Sequence, residues 1–117
     1  RVGSAVGWGM SIEILCSDDT LVIRRMTLAP GEAGDWHVDR CRRFSVIVRG
    51  DRLRIEYAHA GEVVELDVHP GLCGWDDPEE RVHRAVNIGR GPYEEVVTFH
   101  RTGPDVDPQP AVASADG

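Results

Sequence analysis

Pro30-Gly31-Glu32-Ala33-Gly34-Asp35-Trp36-His37-Val38-Asp39 is the stretch whose reading decides the fold, taken with Val82-His83-Arg84-Ala85-Val86-Asn87 further along. A Pro-Gly turn opens the first stretch, and the next turn residue of its kind is Gly50. A second Pro-Gly turn, Pro70-Gly71, precedes His83 and Asn87. Residues i and i+2 of a strand project to one face, so a strand over 34–39 puts His37 and Asp39 side by side. His83 on a later strand is then able to join them inside a small barrel.

Outward from these stretches the chain is a series of short runs rich in β-branched and aromatic residues, punctuated by Gly, Pro and Asp. Strands are expected over 11–16, 20–28, 34–39, 44–49, 52–57, 62–68, 72–75, 82–87 and 93–101. The run Arg52–Tyr57 alternates cleanly, with Leu53, Ile55 and Tyr57 on one face and Arg52, Arg54 and Glu56 on the other. Val64, Leu66 and Val68 continue the pattern after a short hairpin loop at 58–61. Arg49-Gly50-Asp51 is read as a hairpin turn rather than an adhesion triplet. Helical periodicity is nearly absent, so the expectation is an all-β, closed or sandwiched antiparallel fold. Its divisions are an N-terminal leader or extra edge segment over 1–11, a barrel over 12–101, and a flexible acidic tail over 102–117 marked by Pro104, Pro108 and Pro110.

Composition narrows the function. A chain of 117 residues with 41% hydrophobic content supports one folded domain. Its net charge of −7 gives no general attraction to nucleic acid or anionic lipid, so neither is expected as a partner. The 13 basic residues are all arginine. Without lysine, Schiff-base and PLP chemistry is excluded, as is the P-loop lysine of a nucleotide site. Cys16, Cys41 and Cys73 are odd in number and widely spaced, which suits reduced thiols in a cytoplasm. No apolar run approaches the roughly 20 residues of a membrane span, and the first nine residues lack a signal-peptide pattern. Met10 is a candidate start, with Arg1–Gly9 as a leader.

The two stretches resemble the motifs of the cupin superfamily. Gly31, five residues, His37-Val38-Asp39 and then Gly50 follow the ruler of the first cupin motif. His83, three residues and Asn87 follow the end of the second, and Asn87 is the chain's only asparagine. The resemblance covers about 22–100 and implies a single-domain cupin-type jelly-roll β-barrel. It further implies a metal held inside the barrel and a homodimer paired through edge strands. The family's usual three His and one Glu are matched residue for residue only at His37 and His83. Asp39 stands for the second His, and Arg43 stands where the Glu is expected.

The residues themselves offer a substitute ligand set. His37, Asp39 and His83 make two histidines and a carboxylate, the facial arrangement of non-haem iron sites, and one that Mn, Ni or Zn also accepts. Arg43, Trp75, Tyr57 and Phe99 are the candidate substrate-binding residues. Arg43 would clamp a carboxylate and the aromatics would line the pocket. Two functions stay open on this reading. One is a divalent-metal-dependent enzyme, oxygenase or isomerase in type, acting on a small organic acid or metabolite. The other is a metal-free ligand-binding or sensing protein in which Arg43 pairs with Asp39 in the metal's place.

Overall fold

The computed structural model describes residues 10–59 and 61–112. Among the described residues nine strands follow one another: β1 (Ser11–Ser17), β2 (Leu21–Leu28), β3 (His37–Asp39), β4 (Arg42–Arg49), β5 (Arg52–Tyr57), β6 (Val63–Asp67), β7 (Cys73–Asp76), β8 (Glu79–Asn87) and β9 (Tyr93–His100). All pairings are antiparallel. One sheet runs β1-β2-β9-β4-β7 and the other β3-β8-β5-β6, which is an all-β jelly roll.

Period-2 alternation decides what each sheet turns inward. In the five-stranded sheet, β9 pairs Tyr93 with Leu28, Glu95 with Met26, Val97 with Arg24 and Phe99 with Val22 on one side. On its other side β9 pairs Val97 with Ser45 and Phe99 with Arg43. These residues form the inner face. In the four-stranded sheet, His37, His83 and Tyr57 lie in one cross-strand row. Leu28, Ile47, Leu53, Val68 and Tyr93 make one core cluster, with Met10 and Met26 packed against it. Val22, Cys41, Val97 and Phe99 make a second. Each large side chain so buried contributes about 1.5–3 kcal/mol over leaving it exposed.

Turn chemistry fixes the registers. Gly50 joins β4 to β5 at φ +146°, and a Cβ there would stand 2.7 Å from the Tyr93 ring. Only glycine lets the hairpin pass that close over the core. Edge strands β1 and β6 are exposed along their whole lengths and carry Ile12, Ile14, Val63 and Leu66 on the surface.

Two readings of the chain need correction. The strand expected over 34–39 is regular only from His37. Upstream the backbone follows β8 through an isolated Ala33–Val86 bridge and the Gly34 N–H to Ala85 carbonyl bond, with a register shift inside β3. The tail expected to be loose is docked through Val112. Its backbone runs along the free edge of β3, where Arg40 N–H donates to the Pro108 carbonyl and Val112 N–H to the Trp36 carbonyl. Val106 packs on the Val22–Phe99 cluster and Pro108 is buried. Proline lacks an N–H but keeps its carbonyl, so Pro108 and Pro110, two of the prolines that suggested disorder, serve here as acceptors on an edge. Residues 113–117, and 1–9 of the expected leader, lie outside the described residues; Met10 belongs to the barrel.

Candidate functional site

The two sheets enclose a cavity of about 560 Å³, within the size range of small-molecule pockets. Its apolar wall includes Ile47, Leu53, Ile55, Val97 and Phe99, and its polar end is built on β3 and β8. The cross-strand row sets the His37 and His83 rings 4.5 Å apart, with the Tyr57 ring 5.7 Å from His83. Asp39, 1% exposed, is the hub. Its Oδ2 lies 2.8 Å from His83 Nε2, 3.6 Å from His37 Nε2 and 3.3 Å from a guanidinium nitrogen of Arg43. Arg43 crosses from the opposite sheet to make that contact and also donates to the Asp77 carbonyl.

The proton positions of both histidines follow from their partners. His83 Nδ1 lies 2.7 Å from the Arg81 carbonyl, and His37 Nδ1 lies 2.9 Å from the Asp35 carbonyl. A carbonyl only accepts, so each Nδ1 carries hydrogen. In the neutral rings both Nε2 lone pairs are thereby aimed at one carboxylate. Tying the outer ring nitrogen to a carbonyl is how metal-ligating histidines are oriented. Separations of 2.8 and 3.6 Å bracket the spacing of about 3 Å between neighbouring ligand atoms around a cation with bonds near 2 Å. The three ligand atoms all lie within 4.8 Å of one another, so the set fits a divalent metal.

Without a metal, His83 faces an acceptor from each nitrogen, an arrangement that favours the imidazolium. Burial would lower its pKa, but the bonds to Asp39 and to the Arg81 carbonyl outweigh burial and raise it. Burial would likewise raise Asp39. The close approach of His37, the bond from His83 and the charge of Arg43 overcome it and hold Asp39 well below the usual carboxylate range. A depressed carboxylate contributes stability above its unfolded pKa of about 3.9, lost as pH falls through the folded value. A raised histidine contributes below its unfolded pKa of about 6.5, lost as pH rises through the folded value. Chelator-treated protein is therefore expected to be most stable between about pH 4 and 6.5. Thermal unfolding across pH should show this, and His83→Gln should flatten the alkaline limb.

Of the residues expected to bind substrate, Tyr57 and Phe99 line the cavity and Arg43 reaches its polar end. Trp75 is among the lining residues too. It borders the cavity mouth, but its ring pairs with Phe44, lies 4.0 Å beneath the Arg42 guanidinium and 5.2 Å from the outward-facing His100. Phe44 and Trp75 are direct cross-strand partners, and Arg43 beside Phe44 faces inward, so their rings share the outer face.

Gln109 and Glu95 belong to the site and were missed. Gln109 Nε2 donates to Asp39 Oδ1 at 2.6 Å and lies 3.3 Å from His37 Nε2, while its Oε1 accepts from Arg24 at 2.8 Å. Arginine only donates and a carboxylate only accepts, so the amide orientation is fixed. The available signal was Pro108-Gln109-Pro110, an enforced extended segment carrying one long polar side chain. Glu95 sits among the apolar inward residues of β9, and its parity with Tyr93, Val97 and Phe99 was the signal there.

With this geometry in view, the solved structures place the fold. A cupin domain from Bordetella pertussis Tohama I superposes with a TM-score of 0.72 at 16% identity, covering 80% of this chain and 95% of that one. The fold is that of the cupins. An uncharacterized conserved protein with a double-stranded β-helix domain from Klebsiella pneumoniae gives 0.68 at 18% identity over 92% of this chain and 87% of that one. Oxalate oxidase in complex with its substrate analogue glycolate gives 0.59 at 16% identity, with 86% of this chain matched to 55% of that one. At such identities the likeness is one of fold. No protein-family model matches the chain, and no curated protein matches it.

Proposed function

We propose that this cupin-type chain is a small-molecule-binding protein whose His37, Asp39 and His83 hold one divalent metal, Fe, Mn, Ni or Zn. We further propose that it acts as an oxygenase- or isomerase-type enzyme on a small organic acid. The observation that carries the reading is the pair of fixed histidines: both Nδ1–H groups are tied to backbone carbonyls, and both Nε2 atoms converge on the buried Asp39. A bound metal would supply Lewis-acid polarisation of a ligand oxygen. The chain's own groups do the rest. Arg24 and Arg43 bring positive charge to the cavity for a carboxylate. Tyr57 and Phe99 give the ligand an apolar wall, and Gln109 holds Asp39 at its second oxygen. The glycolate complex of a protein sharing the fold supports a small acid as the ligand class.

The Arg43–Asp39 contact of 3.3 Å favours a second reading, a metal-free binding or sensing protein. Elemental analysis and titration calorimetry on protein purified without a metal-affinity column separate the two. The first reading expects one equivalent of metal in the wild type, lost in His37→Ala and in His83→Ala. Wild-type protein that takes up none of these metals, with Arg43→Ala strongly destabilised, establishes the second.

A further inference from the structure

Deeper in the same cavity stands a carboxyl group that neither reading uses. Glu95 projects inward from the middle of β9. Its cross-strand neighbours are Met26 on one side and Ile47 on the other, and Tyr93, Val97 and Phe99 share its face. Protein surrounds the carboxyl, and Glu95, half-buried as a residue, lines the cavity. Its hydrogen-bond partner is the Tyr93 hydroxyl, which donates to Oε1 at 2.5 Å. Tyr93 is itself 1% exposed, and burial together with the neighbouring Glu95 pushes its pKa up, so it remains a donor. No arginine or histidine of the described residues forms an ion pair with Glu95, although ion pairs occupy its sequence neighbour Glu94.

A glutamate on an apolar face is costly to ionise, and among the described residues Tyr93 is the hydrogen-bond partner that offsets that cost. Burial is the main influence and raises its pKa. Tyr93 and the charges of Arg43 and His37 work against the rise, and the charge of Asp39 adds to it. From the facing sheet the cavity presents the apolar Leu53, Ile55 and Ala85 with Tyr57, and its charged groups, His37, Asp39, Glu79 and His83, are gathered on β3 and β8 at the polar end.

We infer that Glu95 is the acid–base group of the cavity, a carboxylic acid that hydrogen-bonds to an anionic oxygen of the bound ligand and transfers its proton there. In that transfer the Glu95 O–H bond breaks as a ligand O–H bond forms, and the electron pair stays on the carboxylate. The Tyr93 hydroxyl already points at that carboxylate to stabilise the charge, and water entering the cavity after ligand release restores the proton. This is the logic of enzymes that keep one carboxyl neutral in an apolar pocket while a second stays ionised in a polar one. Here Asp39 is the second. The inference rests on the small-acid reading for its ligand but not for the state of Glu95.

Infrared spectroscopy of the full chain tests it, with Glu95→Gln as the variant that preserves shape and with glycolate as the probe. At pH 7 the wild type is expected to show a protonated-carboxyl carbonyl band that Glu95→Gln lacks and whose midpoint lies above that of an ordinary glutamate. Saturation with glycolate should shift that band. Absence of the band at pH 7 overturns the inference, as does a band unmoved when calorimetry shows glycolate bound. If glycolate does not bind at all, the small-acid reading fails, while the band at pH 7 still decides whether Glu95 is the neutral acid inferred.

Discussion

Asp39→Ala is expected to be the most damaging single substitution in the chain, lowering stability by about 3–5 kcal/mol. Asp39 is buried and its carboxylate answers four groups at once: His37, His83, Arg43 and Gln109. Removing it leaves the Arg43 guanidinium without its counter-charge and the His83 ring and the Gln109 amide without their acceptor. Asp39→Asn keeps the volume and one oxygen, so it should cost less, and in it His83 reverts to the neutral ring. Both variants should lose metal, because the carboxylate supplies charge as well as an oxygen. Chemical denaturation of chelated protein measures the first effect and titration calorimetry the second. A loss within about 1 kcal/mol for Asp39→Ala, the scale of an exposed ion pair, would show that the four contacts do not hold the polar end together.

The contrast between Asp39 and its neighbours shows how far sequence reaches. His37, Asp39 and His83 were legible because strand parity is rigid: two residues apart on one strand must share a face, and the motif spacing set which strands met. The same parity placed Leu53, Ile55 and Tyr57 inward, where they are found. It gave nothing for Trp75, which lies on β7, an edge strand exposed along its length, so hydrophobicity there does not reveal a face. Position β3 misled differently. Its ladder is broken by a register shift and an isolated bridge, irregularities that depend on the partner strand and leave no local signature. Glu95 could have been read from the alternation of β9, because a charge at an inward position of an apolar strand needs an explanation. Gln109 shows the opposite limit. Composition classed its segment by what it lacks, apolar bulk, whereas what matters is backbone carbonyls offered to a neighbouring edge and one amide of the right length.

Ending the chain at Gly103 is accordingly expected to lower the melting temperature on the order of 10–20 °C, the equivalent of about 2–4 kcal/mol in a domain of this size. The loss has three sources. Val106 and Pro108 no longer cover the side of the core formed by Val22, Cys41, Val97 and Phe99. The edge of β3 loses the acceptors of its Val38 and Arg40 N–H groups and the donor to the Trp36 carbonyl. Asp39 loses the Gln109 amide, a hydrogen bond to a charged group worth about 1.5–3 kcal/mol. Freed chain entropy offsets part of the sum, which is why the net is set below the total of the parts. Gln109→Ala isolates the third source and should lower the melting temperature by less than the truncation does while still loosening the site. If the truncated chain melts where the full chain does, then the contacts at 104–112 contribute nothing net and Gln109 is a bystander. If truncation and Gln109→Ala are equally damaging, then the segment acts through that one amide, and its backbone pairing serves only to deliver Gln109 to Asp39.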